Sequence, residues 1–116
     1  MMSKSNLTQE TVPFAVASAL KRLGSNIALA RKRRGMQQEE LAAKAGTTHV
    51  TLRRVERGNP TTSIAAYFVV LWAMGLDAEL ADLASPDRDE VGKQFERNHA
   101  AHRVRRSPSA GLSDEF

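Results

Sequence analysis

The stretch that most constrains this chain is "QQEELAAKAGTTHVTLRRVERG", residues 37–58, where two short runs of helical periodicity flank the break "GTT". Leu41, Ala42 and Ala45 recur at helical spacing, and Gly46 closes that run. Glu39 and Glu40 fall in its first turn, where carboxylates favour the positive end of the helix dipole. Thr48 then stands at an N-cap position, Leu52 and Val55 form a buried pair, and Gly58 ends the second run.

Two short helices meeting at a tight glycine turn describe a helix-turn-helix over 38–58. No strand signal competes, since there is no clear alternating apolar run and no hairpin dipeptide. Upstream, Pro13 reads as an early helical position. Val16, Leu20, Leu23, Ile27 and Ala30 follow as one apolar stripe, which predicts a helix over 14–34. Gly24-Ser25 marks a possible break in it, with Ser25 able to cap a new helix, and Gly35 ends it after "RKRR".

Downstream, Ser63 caps a helix in which "IAAYFVVLWAM", residues 64–74, is apolar on every face and needs cover on every face. Ile64, Tyr67, Phe68, Leu71 and Met74 are expected toward the core. Val69 and Trp72 then need another cover, most economically a second subunit. Gly75 ends this helix, Asp77 caps a short "AELADLA" helix, and Ser85-Pro86 opens another that runs to about residue 98.

Charge sharpens the picture. The net charge of +4 conceals eight Lys and Arg against three acids over 23–58, and one against six over 59–92. Such polarity implies one polyanion-facing side, and composition alone suits nucleic acid or an acidic membrane surface equally. The absence of cysteine excludes disulfides and thiolate zinc sites. Of three histidines only His99 and His102 lie close together, in a polar tail, and no residue set pairs a nucleophile with its base. No catalysis, metal or cofactor is expected. The N-terminus lacks a signal-like apolar segment and no run approaches membrane-spanning length, so a cytoplasmic protein without a membrane partner is expected. Arg53, Arg54 and Arg57 around a lone Glu56 read in isolation as an ordinary solvated face, as does a basic run at a helix C-terminus.

Order and spacing go further. "ALARKRRGMQQEELAAKAGTTHVTLRRVERGNP" resembles the helix-turn-helix domain of the phage-repressor class, often called the xenobiotic-response-element family, over about residues 25–76. The likeness rests on Gly35, Gln38, Leu41-Ala42, Ala45-Gly46, Thr48, Leu52, Val55-Glu56 and Gly58 at their mutual offsets. Gln37 departs from it, standing where the family usually places a Ser or Thr cap. The resemblance implies an inward ion pair between Arg31 and Glu56, which makes Glu56 a tie between helices. It also implies backbone-phosphate contacts at Gln38 and Thr48, with Lys44, Arg57 and the 31–34 run adding sequence-blind attraction. His49, Val50, Thr51, Arg53 and Arg54 are then the expected base readers. An arginine fork suits guanine O6 and N7, and Val50 or the Thr51 methyl suits a thymine methyl.

The flanks "PFAVASALKRLGSNIALARKRRG" and "ERGNPTTSIAAYFVVLWAMGLDAELADLASPDRDEVGK" are similar to HipB-type antitoxins, small repressors that accompany a HipA-type serine/threonine kinase toxin. That likeness implies a homodimer on operator DNA and a toxin partner; the operator is expected to be palindromic, and Val69, Trp72, Leu76 and Leu80 are expected to supply much of the dimer contact. A stand-alone regulator and a protein-interaction module on the same scaffold are the alternatives. The expected organisation is all-α, with five or six helices. It comprises a flexible segment over 1–12, a DNA-binding and dimerisation domain over 13–85 with dimer helices over 64–83, a further helix over 86–98, and a disordered basic tail over 99–116. A repressor of this kind is expected at the nucleoid.

Overall fold

The computed structural model describes Thr8 and residues 10–106. Five α-helices follow in order: α1 (Phe14–Arg33), α2 (Gln38–Ala45), α3 (His49–Glu56), α4 (Ile64–Ala73) and α5 (Glu90–Arg106). Short 3-10 turns occupy Leu80–Asp82 and Pro86–Arg88, and no strand occurs among the described residues. The chain divides into two compact units between Leu80 and Ala81.

The first unit is built on Ile27 of α1, Leu41 of α2, Leu52 and Val55 of α3, and Val70 of α4, all fully buried. Ala42, Ala45, Tyr67, Ala73 and Met74 complete that cluster. Each helix thus contributes its apolar stripe to one core, which is how short amphipathic helices gain stability they lack alone.

Helix α1 runs unbroken through Gly24 and Ser25, and Ser25 caps nothing. The reason is packing. A Cβ on Gly24 would lie 2.6 Å from the Glu56 carbonyl oxygen and 2.7 Å from that of Val55. From the other side, a Cβ on Gly58 would run into the Leu20 carbonyl and the Lys21 Cα. Two glycines therefore let α1 cross the end of α3 backbone against backbone. Glycine inside a helix costs about 1 kcal/mol in propensity, and here the close crossing offsets it.

Helix ends are set by side chains and by left-handed glycines. The Glu40 carboxylate accepts from the Gln37 backbone N–H at 2.9 Å, so α2 starts cleanly despite its glutamine N-cap. The Thr48 hydroxyl accepts from the Thr51 N–H at 3.1 Å, and the Ser63 hydroxyl from the Ala66 N–H at 3.2 Å. At the turn between α2 and α3, Gly46 has φ +73°, and the Thr47 N–H returns to the Ala42 carbonyl at 2.9 Å. The same closing hydrogen bond ends α1, α3 and α4, beyond Gly35, Gly58 and Gly75.

Most of the stripe expected on α4 faces the core: Tyr67 and the C-cap Met74 are buried, and Phe68 and Leu71 pack against the cluster. Val70 and Ala73 are buried beside them, whereas Ile64, expected inward, is 66% exposed. A helix apolar all round carries no polar face to orient it, so its neighbours decide. Upstream, the segment expected to be flexible over 1–12 includes a turn in which the Val12 N–H donates to the Thr8 carbonyl at 3.1 Å, and Val12 is buried. The remainder of that expectation lies outside the described residues.

The helix expected after Asp77 is reduced to the 3-10 turn Leu80–Asp82, begun by the Leu80 N–H donating to the Asp77 carbonyl at 3.1 Å. Ala84 at φ +59°, with Pro86 two residues on, leaves too short a run for an α-helix. In the second unit, the Asp89 carboxylate accepts from the Gly92 N–H at 2.9 Å at the start of α5. The expected end near 98 is passed, and 99–106, expected to be disordered, is helical. "HAAHRVRR" contains neither glycine nor proline, and alanine and arginine are strong helix formers. The expected disorder beyond 106 lies outside the described residues.

Candidate nucleic-acid interface

Arg31 organises the site. It follows Leu20, Gly24 and Ile27 on the face of α1 turned to α3, and it is 8% exposed. Its Nε–H donates to Glu56 Oε2 at 2.7 Å and its Nη2 to Glu56 Oε1 at 3.2 Å, a forked charge-assisted pair. The third nitrogen, Nη1, donates to the Met36 carbonyl at 2.9 Å and so fixes the α1–α2 connection.

The same carboxylate accepts a further bond, from Gln38 Nε2 at 2.9 Å. Because the Gln38 amide nitrogen serves Glu56, its Oε1 faces outward and meets His49 Nε2 at 2.9 Å. The imidazole must donate there, so His49 carries its Nε2 proton and turns Nδ1 toward Glu39 Oε2, 4.0 Å away. A chain of polar contacts thus links α1, the start of α2 and both ends of α3.

With Glu56 drawn inward, the outer face of α3 is left to its cations. Arg53, Arg54 and Arg57 are exposed, and none has an ion pair or side-chain hydrogen bond among the described residues. Val50 is exposed beside them. Thr51 is half-buried, and its hydroxyl accepts from that of Thr48 at 3.0 Å. Val50, Arg53 and Arg54 therefore stand free on the expected base-reading face, while His49 and Thr51 are engaged within the protein.

Among the expected phosphate contacts, Lys44 and Arg57 are exposed and Thr48 is an exposed cap. Both polar atoms of the Gln38 amide are taken. The 31–34 run splits by role: Arg31 is buried, and Arg34 donates to the Ala30 carbonyl at 3.0 Å and the Met74 carbonyl at 3.2 Å. Arg34 is thus a clamp between α1 and the end of α4, and Lys32 and Arg33 alone remain exposed without partners.

The outward face of α4 is apolar without interruption. Ile64 and Trp72 are exposed there at 66% and 59%, Phe68 between them is half-buried and packs against the core, and Leu76 is exposed just past the helix end, beyond Gly75. Of the expected interface residues, Val69 and Leu80 are half-buried, and Val69 packs against the core. Opposite this face, the Tyr67 hydroxyl donates to the Asn59 carbonyl at 2.8 Å, and burial pushes the phenol above its ordinary pKa. Among the described residues no helix is long and apolar enough to cross a membrane, and no group of three or more His, Cys, Asp or Glu could hold a metal ion.

Three features escaped sequence reasoning. Gly24 reads as a break, because periodicity cannot report a backbone contact with a distant helix. Val70 sits in a run where every residue is apolar, so no contrast singles it out. The Gln38–His49 bond joins two helix starts eleven positions apart, and only the bonding of Gln38 to Glu56 reveals it.

A helix pair crossing at a glycine turn, a third helix locked by an inward ion pair and an unpaired basic outer face define the helix-turn-helix class. Residues 27–83 match the helix-turn-helix family, a span that includes α2, α3, α4 and the last two turns of α1. The chain carries a helix-turn-helix domain of the DNA-binding, transcription-regulating kind. No curated protein and no solved structure matches it.

Proposed function

We propose that this protein is a sequence-specific transcriptional repressor that binds a palindromic operator as a homodimer. The observation that carries this reading is the inward Glu56, which leaves Val50, Arg53 and Arg54 together on an exposed face of α3 with no internal partners. In major-groove readers of this motif such residues meet base edges, and an arginine fork discriminates guanine by about 1–3 kcal/mol. The uncharged outer face of α4, centred on Trp72, favours a second copy as its cover, because a two-fold contact apposes the same patch on both subunits. Half-sites about one DNA turn apart follow from that symmetry.

The likeness of both flanks to HipB-type antitoxins favours a more particular role, neutralising a HipA-type kinase toxin encoded beside it. This reading includes no catalysis and no cofactor, and it locates the protein in the cytoplasm at the nucleoid.

Gel-shift titration on the native upstream region tests DNA reading: Arg54→Ala is expected to weaken binding and relax specificity, and unchanged affinity and specificity would remove the base-reading role. Copurification of a kinase-like protein from the neighbouring reading frame tests the partner. An unrelated neighbour that does not copurify leaves a stand-alone regulator.

A further inference from the structure

Helix α1 extends four turns ahead of the span that matches the helix-turn-helix family, and that overhang carries two adjacent cations, Lys21 and Arg22. Both are exposed, and neither has an ion pair or side-chain hydrogen bond among the described residues. Their positions differ. A Cβ on Gly58 would be 2.7 Å from the Lys21 Cα, so the Lys21 backbone packs against Gly58, two residues past the end of α3 and next in sequence to Arg57. Arg22 follows about 100° further round the helix, on the flank it shares with Ala15, Ala19 and Asn26, away from α3.

The Lys21 backbone thereby stands just past the end of α3, where the neighbouring Arg57 is also exposed. In a major-groove complex the first turns of the recognition helix meet base edges, and its far end leaves the groove beside the sugar-phosphate wall. A cation placed just beyond that end faces phosphate rather than bases. We propose that Lys21 is a phosphate contact that extends the DNA footprint beyond the helix-turn-helix itself. This rests on the DNA-binding reading above, and it assigns the α1 overhang a role in affinity, with no part in sequence choice.

The test is a salt titration of the full chain with a fluorescein-labelled mixed-sequence duplex, which engages phosphate contacts without requiring the operator. Removing one phosphate contact flattens the plot of log affinity against log salt by about 0.9, so between 50 and 200 mM salt Lys21→Ala loses roughly 3.5-fold less affinity per contact than wild type. Lys21→Arg is expected to keep the wild-type slope, and Arg22→Ala to leave it nearly unchanged. Equal slopes for Lys21→Ala and wild type overturn the proposal. So does an equal flattening by Arg22→Ala, which reduces the effect to overall charge. Failure of the wild-type chain to bind any duplex, including its own upstream region, instead defeats the DNA-binding reading.

Discussion

Arg31 grips Glu56 through two nitrogens, at 2.7 and 3.2 Å, across the packed crossing of α1 and α3. Both side chains are about nine-tenths buried, so the pair is screened little by solvent. Because the grip holds Glu56 inside, it also decides what α3 shows outside. Breaking a buried pair from one side strands a charge and typically costs about 3–5 kcal/mol. Glu56→Ala is therefore expected to lose about that much in urea unfolding. The double variant Arg31→Met, Glu56→Leu should lose less than either single change; a double loss equal to the sum of the singles contradicts a coupled pair.

The glycine crossing makes a second prediction. Alanine at Gly46 meets only open space, so it pays about 1–2 kcal/mol for its left-handed backbone. Gly58 has a similar φ of +72°, yet its Cβ would enter the backbone of Leu20 and Lys21. Gly58→Ala is thus expected to cost a further ~1–3 kcal/mol of overpacking. Equal melting temperatures for the two variants would show that α1 yields freely.

Tyr67 ties stability to alkaline pH. Burial raises its pKa above the ordinary 10.0, so the folded state binds the phenolic proton more tightly than the unfolded chain. The associated stability is complete below the unfolded value and is lost as pH rises through the folded one. Tyr67→Phe should remove that alkaline loss and cost about 1 kcal/mol at neutral pH through the missing bond to the Asn59 carbonyl. An identical alkaline decline in the variant places its origin elsewhere.

The outer face of α4 is tested by oligomeric state. Trp72→Glu sets a charge within an exposed apolar patch, so sedimentation is expected to give a dimer for wild type and a monomer for the variant. A variant that remains dimeric moves the interface away from α4.

Much of this architecture was legible in the sequence. Periodicity located α1 to α4 because each contrasts apolar and polar residues or begins at a recognisable cap, as with Thr48 and Ser63. Gly35, Gly46, Gly58 and Gly75 marked the helix ends, and all four take positive φ. What was not legible depends on encounters between distant residues. That Val70 and Ala73 join the buried side of α4 while Ile64 is left outside is set by which neighbours cover the helix, and Gly24 is explained only by the carbonyls of Val55 and Glu56. Helix α5 runs past 98 because helix formers continue there without a breaker, although its polar composition suggested disorder.

Whether the outer face of α3 meets DNA is read by amide chemical-shift mapping against the native upstream duplex. Perturbations are expected to concentrate on residues 48–57 and the first turn of α2, with α4 affected little. Shifts centred on 64–76 and sparse on α3, or none at saturating duplex, would contradict that contact.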